Sequence, residues 1–594
     1  MNVDGTHSDR RQRITAVMLL ASVVAGFLAL TARLCYINAA MGHDLAQRAA
    51  QQQQGQREIP ARRGLIFDTR GRIVAGSRQA YSVYADPMLV LGEVEKAGTS
   101  LSDVARTLAP LLLVDAGLLE NEIRTGSSSL SPHFRWLKRF VPDVEAEAVR
   151  GAHVAGVGLR AEMQRTYPLG TRMSQVLGVV GIDGNGLEGI EQSYDVHLRG
   201  IPGAYNALYN ANVHRRVIAG MRDGSIEPQN GGHLVLTIDT VIQGFVEEQL
   251  ARQVEEFDAE SGIALVMDPQ SGEVLAMANW PTFDPNRWSA SPVEVRRNRA
   301  VTDPVEPGST FKPVVASGAL QCGAVSRTES IDCHNGKYEV PGHRRTLEDT
   351  HAMGVVPFAD VIVHSSNIGM GIIGERVGNE RLHEIVRRFG FGEKTGIGFP
   401  LEDAGIVRPL KEWSSLSATS VPMGYEIAVT PLQLATAYCA IVNGGLLLRP
   451  RLVRSLLSPE GVPRESYDTP IVVRRVLPEE IAHYMGQEVL ASVVREGTGK
   501  PAALKEYDLA GKTGTTKLGY KDRPGYDPHG YLSSFVGAAP ADHPRVVVLV
   551  MISRPDPSLG RFGSQVAAPA VKEILFSTLA YLGEPAKGTV QAGL

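Results

Sequence analysis

Cysteine is scarce in this chain: Cys35, Cys322, Cys333 and Cys439 are all there is in 594 residues. A disulfide framework of the kind that staples small exported domains is thereby excluded. Cys322 and Cys333 are near enough in sequence to bridge in an oxidising compartment. Cys35 closes an apolar run, and Cys439 lies in "ATAYCAIV", which reads as a buried helix. Excess charge is missing too: a net charge of −4 gives no support for nucleic-acid binding. No internal repeat is visible. The Gly-rich stretch 176–203, "VLGVVGIDGNGLEGIEQSYDVHLRGIPG", is not followed by Gly-Lys-Ser/Thr. It is therefore no phosphate-binding loop and reads as tight turns. Cys333, His334, His343 and His351 are zinc-ligand types, but their spacing fits no standard zinc pattern. Histidines in surface loops are the simpler reading.

Long apolar runs are absent except for one. Residues 14–32, "ITAVMLLASVVAGFLALTA", carry no charge. At about 1.5 Å rise per residue they nearly span a hydrocarbon core of about 30 Å. Arg10, Arg11 and Arg13 precede the run. The positive-inside rule then holds residues 1–13 in the cytoplasm and sends the rest outward. A cleaved export signal is the competing reading. The run is longer than a signal core, and "LTARLCYI" offers no small-x-small cleavage site. The expectation is a single retained anchor at 14–36 with a large exported body.

A chain of this length exceeds one ordinary domain. Its composition, 43% hydrophobic and 21% charged, is that of a folded protein. After the anchor, "AAMGHDLAQRAAQQQQGQREIPARRG" reads as a helix continuing from the membrane and then a linker. Residues 85–160 read as alternating helices and loops. A restart follows at "GGHLVLTIDTVIQGFVEEQLARQVEEF", where a strand at 234–237 feeds an amphipathic helix with Ile242, Phe245, Val246, Leu250 and Val254 at helical spacing. "GIALVMDPQSGEVLAMAN" reads as two strands around a Pro-Gln-Ser-Gly turn, and "YLSSFVGAAPADHPRVVVLVMISRP" as a second hairpin. "QVAAPAVKEILFSTLAYLG" reads as the last helix. The expected division is a separate extended module at 37–231, a sheet with flanking helices at 232–585, and a loose tail at 586–594.

The chemistry begins at "EPGSTFKP", residues 306–313. Ser309 and Lys312 stand three residues apart at a helix mouth, so their side chains share one face. A lone Ser there is most often an N-cap. A hydroxyl is a weak nucleophile until a neighbouring base takes its proton, and a desolvated lysine can be that base. Free N–H groups at a helix start favour a developing oxyanion. By itself the pair is a cheap pattern.

Two more motifs follow. "HSSNIGM" gives Ser365-Ser366-Asn367, 56 residues on (365 − 309), and "LAGKTGTTK" gives Lys512-Thr513-Gly514-Thr515, a further 147 on (512 − 365). Alone, the first reads as a helix cap and the second as an edge-strand turn. Together and in this order, Ser-x-x-Lys, Ser-x-Asn and Lys-Thr-Gly resemble the signature of penicillin-binding proteins and serine β-lactamases. Physically, Ser365 can relay a proton towards a leaving amine, and Asn367 can hold substrate backbone. Lys512 places a cation beside Lys312, which favours a neutral amine there. Gly514 lets substrate backbone approach a strand. Thr513 and Thr515 can bind a terminal carboxylate with Lys512 adding attraction, and the N–H groups of Ser309 and Thr515 can form an oxyanion hole.

The rest of the chain resembles the class B penicillin-binding proteins. "RRGLIFDTRG" (62–71), "RTYPLG" and "GLEGIEQSYDVHLRGIPG" are similar to their non-catalytic pedestal; "LTIDTVIQ", "AMANWPTFDPN", "RNRAVTDPVEPGSTFKP" and "MGYEIAVTPLQLATAY" are similar to their transpeptidase domain. No Glu-Asp-x-x-Phe-like glycosyltransferase motif and no Glu-x-x-Leu-Asn element of a class A β-lactamase is present. Asn367 and "TLEDTHAMGVVPFADVIVHSSNIGM" look most like the division-type (FtsI-like) branch, with elongation-type and spore-specific relatives as alternatives; no PASTA repeat follows the catalytic region.

The resemblance implies an α+β penicillin-binding fold, an antiparallel sheet flanked by helices, behind a pedestal and one anchor. It implies a membrane-bound peptidoglycan D,D-transpeptidase acting through a Ser309 acyl-enzyme, with D,D-carboxypeptidase side activity. No metal or organic cofactor is implied. The partners would be peptidoglycan stem peptides, β-lactams as inhibitors, and a SEDS-type (FtsW-like) glycosyltransferase with other division proteins. A penicillin sensor without turnover is the rival class. Intact motifs and a 13-residue tail too short for a signalling domain speak against it.

Overall fold

The structure, a computed structural model, describes residues 5–41, 54–129, 131–209, 217–220 and 225–588. Most of the expected linker (42–53), the ends of the short N-terminal and C-terminal tails (1–4 and 589–594), and residues 130, 210–216 and 221–224 lie outside the described residues.

Two compact units form. One gathers residues 1–61, 81–162 and 201–229; the other gathers 62–80, 163–200 and 230–594. The module expected at 37–231 is thus divided between them. The reason is strand pairing: Ile66–Phe67 lies parallel to His233–Leu236, so residues 62–80 belong with the unit that holds the catalytic motifs.

In the first unit, helix α1 (Gly5–Tyr36) carries the apolar run. Residues Arg13–Met41 form one helical stretch with mean hydropathy 2.3 in its window, long and apolar enough to cross a membrane. Residues 85–160 hold four helices, Pro87–Ala97, Leu101–Leu112, Ala116–Gly126 and Asp143–Gly151, and also two strands, Arg135–Val141 and Val157–Thr166. The pattern of the sequence had offered only helices and loops. "RWLKRFV" and "VGLRAEMQRT" mix cations into their alternation, which hides a strand whose outer face stays wet.

The second unit is built on a five-stranded, wholly antiparallel sheet. Its strands are β1 (Ser261–Met267), β2 (Val274–Trp280), β3 (Ala510–Gly519), β4 (Tyr526–Ala539) and β5 (Val546–Ser553), in the order β2-β1-β5-β4-β3. Both hairpins expected from the sequence, β1–β2 and β4–β5, are present. Successive side chains of a strand point to opposite faces. On β5, Val546, Val548, Val550 and Ile552 pack with α2 (Thr240–Glu256) and the C-terminal α6 (Ala568–Leu582). The alternate Val547, Leu549 and Met551 join a separate core with α3 (Lys312–Gln321), α4 (Asn367–Arg388) and α5 (Pro431–Val442). A strand covered on both faces reads as an unbroken apolar run, as "VVVLVMI" does. Cys439 is buried in α5, and all four cysteines are free thiols.

Strand β3 forms one edge of this sheet, and it carries the Lys-Thr-Gly motif.

Candidate active site

Ser309 sits in a 3₁₀ turn, Gly308–Phe311, that runs directly into α3. It is half-buried and does not cap the helix. The turn lies against β3 because two glycines permit it. Gly308 has φ +55°, and a Cβ there would fall 2.0 Å from Thr516 Oγ1. At Gly514, a Cβ would fall 2.3 Å from Ser534 Oγ and 2.9 Å from Thr310 Cγ2. From above, Gly308 N donates to Gly424 O at 3.2 Å. From below, the buried Tyr438 of α5 donates its hydroxyl to Thr310 O at 2.8 Å. The nucleophile candidate therefore stands on a turn held from three directions.

The second motif starts α4. Ser366 is a true N-cap: its hydroxyl accepts from Gly369 N at 2.9 Å. The helix-cap reading of this motif is thus realised by Ser366, which leaves Ser365 to face Lys312. Ser365, just before the cap, is forced to φ +61°. That backbone turn sends both its carbonyl and its hydroxyl to Lys312.

Lys312 is buried and donates through Nζ to Ser365 O (2.6 Å), Ser365 Oγ (3.2 Å) and Asn367 Oδ1 (2.8 Å). Lys512, equally buried, donates to the same Ser365 Oγ at 3.0 Å, and to Thr513 O at 3.0 Å. Burial pulls the Lys312 amine down to about 7, against a smaller opposing pull from Asp349. Lys512 is pushed well below its ordinary range, first by burial and then by Lys312. Two ammonium groups cannot share one hydroxyl cheaply in a dry site, so the pair favours a neutral amine. No hydrogen bond joins Ser309 Oγ to Lys312 among the described residues; the amine is one helical turn away and engaged with the second motif.

The third motif supplies the free edge. Outer strands carry N–H and C=O groups that no neighbouring strand satisfies. Thr513 Oγ1 meets Thr498 Oγ1 at 2.8 Å, and Thr515 Oγ1 accepts from Gly563 N at 3.0 Å, which leaves the Thr515 proton free to donate. Asn367 Nδ2 gives one proton to Glu348 O at 3.1 Å and keeps a second.

All eight residues singled out in the sequence, Ser309, Lys312, Ser365, Asn367, Lys512, Thr513, Gly514 and Thr515, thus line one junction between the Ser309 turn, the start of α4 and the edge of β3. Sequence reasoning missed Asp349, Tyr438, Thr498 and Gly563. None stands at a motif spacing; only folding brings them to the motifs.

Comparison with known proteins identifies the family. The family model described as the penicillin binding protein transpeptidase domain matches residues 262–576, and that described as the penicillin-binding protein dimerisation domain matches 58–236. The chain belongs to the class B penicillin-binding proteins. It is 33% identical to the peptidoglycan D,D-transpeptidase FtsI of Escherichia coli (strain K12), over 88% of this chain and 84% of that one. It is 31% identical to stage V sporulation protein D of Bacillus subtilis (strain 168), over 98% and 88%. Among solved structures, penicillin binding protein 3 of Mycobacterium tuberculosis in complex with aztreonam superposes with a TM-score of 0.68 at 27% identity, covering 89% of this chain and 98% of that one. As a class B penicillin-binding protein with a transpeptidase domain, the chain is a peptidoglycan D,D-transpeptidase.

Proposed function

We propose that the enzyme works through an acyl-enzyme on Ser309. Neutral Lys312 takes the proton as Ser309 Oγ bonds to the carbonyl carbon of the penultimate D-Ala of a stem peptide. The oxyanion sits on the N–H groups of Ser309 and Thr515. As the carbon–nitrogen bond breaks, the proton returns through Ser365 to the departing amine of D-Ala. An acceptor amine from a neighbouring strand then attacks the ester, loses its proton to the same base, and regenerates the Ser309 hydroxyl. Lys512, Thr513 and Thr515 hold the terminal carboxylate of the donor, while Asn367 holds its backbone and Gly514 admits it to the strand edge. A β-lactam would enter as a mimic of the donor and remain on Ser309. Water in place of the amine would give carboxypeptidase side activity.

The observation that carries this reading is the single Ser365 hydroxyl between two buried lysines. Its test is labelling of the full chain, in detergent, with a fluorescent penicillin, followed by peptide mass mapping. A stable adduct on Ser309, lost in Ser309→Ala, supports the reading. An adduct elsewhere, or none, refutes it, and rapid release of the label would indicate a β-lactamase instead.

The physiological setting we propose is the septum, with α1 as a single-pass anchor in the cytoplasmic membrane, the catalytic unit outside the cytoplasm, and a SEDS-type (FtsW-like) glycosyltransferase as partner. The likeness to FtsI and the Asn367 form of the second motif support it. A spore-specific role is the second reading, favoured by the likeness to stage V sporulation protein D over nearly the whole chain. Depletion separates them: filamentation of growing cells speaks for division, and a defect confined to sporulation speaks for the other.

A further inference from the structure

Arg345 lies at the turn of a small hairpin, in which Lys337–Glu339 pairs antiparallel with Thr346–Glu348. Val340 N donates to Arg345 O at 2.9 Å and closes the turn. The far end of the hairpin is fixed to the second motif: Glu348 O accepts from Asn367 Nδ2, and Asp349 Oδ2 accepts from the Ser366 hydroxyl at 2.6 Å. The half-buried Arg345 guanidinium rests on two buried hydroxyls, Ser420 Oγ at 2.6 Å and Thr419 Oγ1 at 3.2 Å. Both bonds come from Nη1, and the guanidinium forms no ion pair among the described residues. Arginines withdrawn from water are normally paired with a carboxylate. This one meets only neutral hydroxyls, which leaves its positive charge unmatched.

Ser420 also ties Arg345 to the nucleophile turn. Tyr425 N donates to Ser420 O at 3.2 Å, and the adjoining Gly424 O accepts from Gly308 N. Burial raises the Tyr425 phenol, Glu306 raises it further and Arg345 lowers it, so this ring lies within reach of both charges. Glu306 is already engaged: it accepts from Glu426 N at 3.0 Å and from Tyr526 Oη at 2.8 Å. The Tyr425 and Tyr526 rings meet edge to face at 6.2 Å. Tyr526 pairs with Gly519, at the end of β3 away from Lys512. A donor whose terminal carboxylate is held by Lys512, Thr513 and Thr515 runs along β3 past Ser309 towards that end. Arg345 therefore stands on the side where the residues before the scissile bond lie.

We infer that Arg345 is a specificity-determining residue for the donor, binding a carboxylate on the part of the stem peptide that precedes the scissile bond. The planar fork of a guanidinium matches a carboxylate with parallel N–H···O bonds, and Ser420 and Thr419 hold that fork in place. The inference rests on the Ser309 reading above. Two penicillins isolate it. Carbenicillin is benzylpenicillin with one added carboxylate on its side chain, the side of the molecule that stands for the donor residues before the scissile bond. Both keep the ring carboxylate that stands for the donor terminus.

The measurement is the second-order rate of acylation of the full chain in detergent by each penicillin, beside melting temperatures. Arg345→Gln removes the charge and keeps an amide donor. Its rate with carbenicillin should fall by about 10-fold or more, while its rate with benzylpenicillin should hold. Arg345→Lys keeps the charge without the fork and should fall between. Equal losses with both penicillins would make Arg345 a structural support and overturn the inference, as would an unchanged rate with carbenicillin. If Arg345→Gln does not fold, wild type decides. The carbenicillin-to-benzylpenicillin rate ratio should fall as salt rises from about 0.05 M to about 0.5 M, because screening weakens the added ion pair; a constant ratio overturns the inference. Failure of benzylpenicillin to label Ser309 in wild type would instead overturn the underlying reading, and this inference with it.

Discussion

Lys312 and Lys512, 200 residues apart in sequence (512 − 312), meet on the single hydroxyl of Ser365, at 3.2 and 3.0 Å. Both amines are shut off from water. Burial lowers both amines from their ordinary range, and Lys312 lowers Lys512 further, which makes this pair the electrostatic core of the junction.

The rate of acylation should therefore follow pH with a known sign. Lys312 must be neutral to take the Ser309 proton, and its amine is pulled down to about 7 by burial. Below that pH it is an ammonium and acylation slows; as pH rises through it the rate climbs to a plateau. Lys312→Ala should lower the plateau by about 10³-fold or more, in line with the removal of a general base. Stopped-flow measurement with a chromogenic β-lactam checks both. A flat profile in wild type would exclude Lys312 as the titrating base.

Gly308 tests the seating of the turn. Alanine there would have to hold φ +55° and put its methyl 2.0 Å from Thr516 Oγ1. We expect Gly308→Ala to lose about 2–3 kcal/mol of stability from strain and overlap, together with most penicillin labelling. Gly323, also at positive φ (+70°) but with nothing within 4 Å of a Cβ, is the control: Gly323→Ala should lose about 1 kcal/mol and keep labelling. Thermal melts and gel fluorescence read both variants.

Tyr438→Phe removes one hydroxyl and leaves Thr310 O buried without its 2.8 Å donor. The expected loss is about 1–3 kcal/mol. Because Thr310 adjoins Ser309, acylation should slow as well. An unchanged melting temperature would show that the carbonyl finds another partner.

Glu191 is fully buried between Arg63 (2.7 Å) and Arg165 (2.6 Å). Arg63 also reaches Asp195 at 2.6 Å. Removing the shared carboxylate takes the carboxylate partner from Arg165 in a dry interior and leaves Arg63 on Asp195 alone. Glu191→Ala should therefore destabilise the protein by about 3–5 kcal/mol, and denaturant unfolding would register it. Glu191→Gln should fall between, since it keeps an acceptor and loses the charge.

How much of this was legible beforehand differs from element to element. The unbroken apolar run of β5, the β1–β2 turn and the stripe of α2 are periodic signals, and they predict elements correctly because local pattern alone decides which face is buried. Ser-x-x-Lys, Ser-x-Asn and Lys-Thr-Gly are readable because each packs its chemistry within four residues. The two strands at 135–141 and 157–166 are not readable, since their pairing partner, Ile73–Ala85, lies far away in sequence and their own alternation is blurred by cations. The place of residues 62–80 in the second unit is hidden for a related reason: the two-residue strand at 66–67 pairs with a partner about 170 residues away.

By itself, then, the sequence determined the apolar helix, the hairpins of the antiparallel sheet and the three motifs whose eight residues meet at one junction, because those depend on short-range periodicity and on motifs that are contiguous. The tertiary structure alone decided that Lys312 and Lys512 share one hydroxyl, that Ser365 takes a left-handed backbone, and that Asp349 and Tyr438 hold the motifs in place. These are relations between segments tens to hundreds of residues apart. Burial and close approach, which set the charge of the lysines and the fit of Gly308 on β3, exist only once the chain has folded.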